Sequence, residues 1–126
     1  MTRRVVVTGM GAISGLGNGF ETNWRRALNS ESAIREIESD MGNIADGTGM
    51  TGVAVWIEEA VVEATMPEGN LRRLGRLDPF SRFAMIAADE AVRHAWLEDG
   101  SWRSDRTAVI IGCGSNGNTT LDLAYE

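Results

Sequence analysis

The sequence predicts an α/β fold with a parallel sheet, and three observations predict it. Two short β-branched runs, Val5-Val6-Val7 and Val109-Ile110-Ile111, each break into a glycine turn, as strands covered on both faces do. Between them a long helical pattern opens at Asp78-Pro79, with apolar residues at helical spacing down one side. The order strand, helix, helix, strand, helix is the pattern of an α/β domain.

In chain order, residues 3–9 read as a strand and 10–20 as a glycine-rich loop. Residues 21–29 read as a helix: Trp24 and Leu28 at i, i+4 form an apolar face, with Glu21, Arg25 and Arg26 turned outward. Residues 30–52 are polar, contain Gly42, Gly47, Gly49 and Gly52, and yield no clear element. Val53, Val55 and Ile57 alternate as in a strand. Ile57, Ala60, Val61 and Ala64 fit a helix equally well, and Pro67 closes either one. The helix expected over 79–97 has Asp78 at its N-cap and Pro79 at N1. Phe80, Phe83, Ala84, Ala87, Ala91 and Ala95 keep helical spacing, and Gly100 is expected to end it. Its small alanine side chains let a neighbouring element approach closely. Residues 107–112 read as a second buried strand, leading through a glycine turn into a helix that runs toward Glu126.

A chain of 126 residues is one domain at most, with 43% hydrophobic residues and enough turn punctuation for a folded rather than disordered chain. No apolar run approaches the ~20 residues that span a bilayer, and no signal-peptide apolar region follows Arg3 and Arg4. One cysteine, Cys113, permits no internal disulfide and fits a reducing cytoplasm. The net charge of −6 disfavours nucleic acid as a partner, because phosphate neutralisation needs a cationic surface. All twelve basic residues are arginine, and Arg72, Arg73, Arg76 and Arg82 are concentrated in one stretch. The six Met and four Trp residues (Trp24, Trp56, Trp96, Trp102) are scattered and read as core and edge filler.

Three features invite chemistry. Gly9-x-Gly11-x-x-x-Gly15 follows a strand, as a dinucleotide-binding turn does, but the next helix begins only near Phe20 and no second strand ends in a ribose-binding acid. A structural turn is the plainer reading. Gly112-x-Gly114-x-x-Gly117 has strand and helix around it, and as a lone match it is weak. Cys113 stands between two glycines at a strand end, where a nucleophile would need a base and a lowered pKa. The only histidine, His94, falls late in the 79–97 helix, with nothing to place it near the thiol. A buried structural thiol and a partly exposed helix-end histidine are therefore expected. Arg72 and Arg76 share one helical face with Arg73 beside them, which reads as a solvated face or as a docking patch for an acidic partner.

Four segments, in order, resemble the N-terminal region of the β-ketoacyl-[acyl-carrier-protein] synthases, most closely the synthase II type. Arg3-Arg4-Val5-Val6-Val7-Thr8-Gly9-Met10-Gly11-Ala12-Ile13-Ser14 with Leu16-Gly17 is similar to the family's first strand and turn. Trp24, Leu28 and Ser32-Ala33-Ile34-Arg35 resemble its first helix and the segment after it. Leu77-Asp78-Pro79-Phe80-Ser81-Arg82-Phe83-Ala84 is similar to a family helix start. Val109-Ile110-Ile111-Gly112-Cys113-Gly114-Ser115-Asn116-Gly117 resembles its second core strand and glycine loop. The likeness covers most of this chain and about the first third of a family chain.

The resemblance implies a thiolase-like fold, with residues 1–126 forming the N-terminal part of the first α/β/α half of a homodimeric acyltransferase. It implies a decarboxylative condensation in which a cysteine takes an acyl group from acyl carrier protein and two histidines assist, in fatty acid or polyketide synthesis, without a cofactor or metal. The family's nucleophile lies in a threonine-alanine-cysteine-alanine stretch beyond a third strand. Nothing here matches it; Cys113 falls where the family has serine or another small residue, and His94 matches no catalytic histidine. Arg72 and Arg76 align with basic residues that contact the acidic carrier protein, Gly75 replaces a third, and Arg73 sits beside them. Gly15 stands where proline is usual. Ser115-Asn116 replaces an apolar residue and a glycine in a loop toward the acyl pocket and dimer contact. Residues 40–66 show no clear counterpart. The expectation is a fragment, a truncated frame or one piece of a split synthase, catalytically silent alone and partnered by the remainder of the synthase or a second subunit. A non-catalytic carrier-protein-binding module and a small nucleotide-binding α/β protein are the rivals.

Overall fold

The computed structural model describes residues 3–36, 53–55, 57–58, 61–62, 77–97, 99–100 and 102–114. Among them the order is β1 (Ile13–Ser14), β2 (Gly17–Asn18), α1 (Phe20–Leu28), β3 (Ile34–Glu36), β4 (Val53–Val55) and α2 (Pro79–His94). Residues 61 and 62 are also helical. Both α and β elements are present, as expected, but both sheets are two-stranded and antiparallel.

The β1–β2 pairing follows from its connection. Ser14 pairs with Gly17 and Ile13 with Asn18, so only Gly15 and Leu16 make the turn. A two-residue link joins antiparallel strands and no others. Side chains of α1 then grip this hairpin. Asn23 donates through Nδ2 to the carbonyls of Gly17 (2.9 Å) and Gly19 (2.7 Å), and its Oδ1 accepts from the Ser14 hydroxyl. Arg26 donates to the Leu16 carbonyl. The second sheet pairs Ile34 with Val55, Arg35 with Ala54 and Glu36 with Val53. Its strand β3 falls in the polar stretch that gave no clear element. At residues 53–64 both readings are realised in part: a strand at Val53–Val55 and helix at 61–62.

Among the described residues the core lies between the first sheet, Ile57, Val62 and α2. Val62 is fully buried and Ile86 nearly so, with Ile13, Ile57 and Phe83 packed against them. Burying one such aliphatic side chain contributes about 2 kcal/mol.

The two apolar runs that predicted a parallel sheet are not strands among the described residues. Val5 is 95% exposed and Ile110 is 92% exposed, with Val6, Val7, Val109 and Ile111 also exposed. A β-branched run becomes a buried strand only when neighbouring strands and covering helices are in place, and no described strand pairs with either run. The same exposure corrects the view of Cys113 as a buried thiol: it is exposed, because the strand end expected to cover it is itself open to water. Trp24 and Trp96 are likewise exposed rather than core. Trp24 stacks on Phe20 across one turn of α1, with ring centroids 6.4 Å apart.

Both helices end the same way, and neither uses glycine. In α2 the N–H groups of Trp96 and Leu97 donate to the carbonyls of Arg93 and Val92, a Schellman motif with Trp96 in the left-handed region at φ 58°. In α1 Ser30 (φ 57°) and Glu31 donate to Ala27 and Arg26 in the same pattern. The helix expected over 79–97 therefore stops at His94, and Gly100 lies beyond its end rather than at it. A side chain with a Cβ is strained in the left-handed region. Trp96→Gly and Ser30→Gly are each expected to stabilise the fold by about 1 kcal/mol, seen as a higher urea midpoint at unchanged slope.

Candidate functional site

The glycine-rich segment 9–20 lies along α2, and the sequence on both sides makes that contact possible. Ala87, Ala91 and Ala95 repeat at i, i+4, i+8 and leave the helix backbone uncovered. Gly9 and Gly11 sit on it so closely that a Cβ at Gly9 would stand 2.1 Å from the Ala91 carbonyl oxygen. One at Gly11 would stand 2.0 Å from that of Ala87. The close approach expected of the alanine stripe is made here by backbone.

Two side chains of the same helix fasten the segment. Met10 N–H donates to His94 Nδ1 at 3.1 Å. Glu90 accepts from Ala12 N–H through Oε2 at 2.9 Å and from Phe20 N–H through Oε1 at 2.8 Å. Ala12 in turn accepts from Gly19 N–H at 2.8 Å, closing the loop into a ring. Gly19 is the N-cap of α1 and offers no side-chain oxygen, at φ 91°. Glu90 supplies that acceptor from another helix, and its negative charge lies where the α1 dipole favours one. Gly19 must also stay small, since a Cβ there would come within 3.3 Å of Glu90 Oε1.

A cavity of about 170 Å³ lies against the hairpin, lined by Ser14, Gly17, Arg26, Arg35, Ile57 and Glu58 among others. Its arginines are paired. Arg26 bonds Glu31 at 2.6 Å, and Arg35 lies 3.6 Å from Glu58 on a solvated surface where such a pair contributes little. The Arg26 hydrogen bond holds the Glu31 carboxyl below the usual carboxylate range. That pair's small contribution is present above the unfolded carboxylate pKa and fades as pH falls through the lowered one. A second groove of about 450 Å³ lies between α2 and Leu97, Asp99, Gly100, Trp102 and Arg103, with Arg103 over the Trp102 ring at 5.4 Å.

The residues singled out from the sequence fare unevenly. Arg72, Arg73, Arg76, Ser115 and Asn116 lie outside the described residues. His94 is an exposed helix-end residue as expected, and its ring is engaged with Met10. The first glycine cluster is a seat on a helix. Glu90 is a site residue that sequence reasoning misses, because its partners are the backbone amides of Ala12 and Phe20. Among the described residues no group of three His, Cys, Asp or Glu is arranged to hold a metal ion, and no helix is long and apolar enough to cross a membrane.

The described residues are those of a mixed α/β chain whose opening glycine loop is closed onto an alanine-faced helix. The chain belongs to the β-ketoacyl synthase N-terminal domain family, which matches residues 2–126. It is similar to 3-oxoacyl-[acyl-carrier-protein] synthase 2 of Staphylococcus aureus strain COL, at 33% identity over 98% of this chain and 28% of the relative. It is similar also to nodulation protein E of Rhizobium sp. strain N33, at 33% identity over 100% of this chain and 29% of that protein. The chain thus spans little more than a quarter of the curated relatives it matches. No solved structure matches it significantly.

Proposed function

We propose that this chain is the N-terminal portion of a 3-oxoacyl-[acyl-carrier-protein] synthase, part of the first half of a thiolase-like fold. The complete enzyme condenses an acyl group with malonyl-carrier protein in fatty acid or polyketide synthesis, in the cytoplasm. The observation that carries this reading is the family match across residues 2–126 together with a synthase relative 33% identical over nearly the whole chain. Residues 1–126 contain no counterpart of the family's nucleophile stretch, so the reading includes catalytic silence of the chain alone. The exposed runs at 5–7 and 109–111 support it, since apolar strands of this type require further strands beside them. The helix N-terminus that a dinucleotide phosphate would seek is occupied by the Glu90 carboxylate, which weighs against the nucleotide reading.

The role proposed for this segment is to dock the acidic carrier protein through Arg72 and Arg76, with Arg73 beside them, and the family likeness assigns Ser115 and Asn116 to the acyl pocket or dimer contact. Saturable binding of acyl carrier protein is expected, weakened at least about tenfold by Arg72→Glu combined with Arg76→Glu and relieved by salt. Titration by calorimetry or fluorescence anisotropy checks it. Binding unaffected by the double reversal would remove the docking role, and acyl elongation by the purified chain would overturn the fragment reading.

A further inference from the structure

We draw no further inference here: the strongest candidate, the exposed apolar surface of the runs Val5–Val7 and Val109–Ile111, carries none, because nothing in the structure shows what covers it.

Discussion

Gly9→Ala and Gly11→Ala are each expected to destabilise the fold by about 3 kcal/mol or more, among the largest losses any single methyl can cause here. The added carbon would stand 2.1 Å from the Ala91 carbonyl oxygen in the first case and 2.0 Å from that of Ala87 in the second. These obstacles are helix backbone, with no flexible side chain that can swing aside. The segment has to lift off α2, and the Met10–His94 and Ala12–Glu90 hydrogen bonds go with it. Denaturant unfolding would show the loss as a lower midpoint. Gly112→Ala serves as the control: a Cβ at Gly112 meets nothing within 4 Å. A control as damaging as the other two would mean that close packing on the helix is not the reason for the loss.

Glu90→Ala is expected to cost about 3 kcal/mol, because it strips the acceptor from two amides at once. Ala12 N–H precedes β1 and Phe20 N–H opens α1, so the change unfastens both ends of the hairpin. Glu90→Gln keeps one acceptor oxygen and should lose roughly half as much, since the neutral oxygen also forfeits the charge-assisted bond and the favourable charge at the α1 N-terminus. Unfolding curves of the three proteins give the ranking, and exchange protection at Ala12 and Phe20 locates it. Equal losses for alanine and glutamine would show that charge, rather than the hydrogen-bond count, is what Glu90 supplies.

What the sequence revealed of this fold divides along the line between local and distant causes. The helix expected over 21–29 forms at Phe20–Leu28, and the one expected from Pro79 starts there, because spacing and the Asp78-Pro79 signal are local. Its end was misplaced because Trp96 adopts a backbone conformation usually left to glycine, which residue identity does not announce. Strand β3 was hidden by the polar residues Arg35 and Glu36, whose pairing with Ala54 and Val53 is settled by a partner far along the chain. The runs at 5–7 and 109–111 show the opposite error: their composition is that of buried strands, but composition cannot supply the neighbours that bury them. At the site, the alanine stripe foretold a close approach without naming the visitor. Glu90 stayed unread since its ligands are backbone amides, which look alike at every position. The arginines of the docking proposal stand out in the sequence by their clustering and helical spacing, and family likeness is what favours docking over a solvated face.

The loop that rests on α2 is joined to it across long stretches of chain: the three hydrogen bonds span 84, 78 and 70 residues. Closing such distances carries an entropic cost that local turns do not meet, so α1 and its hairpin can form early while their seat cannot. On the ribosome the first twenty residues must wait until His94 has emerged before they are secured. A pause or a proteolytic cut within that interval would find the amino-terminal region still unmoored.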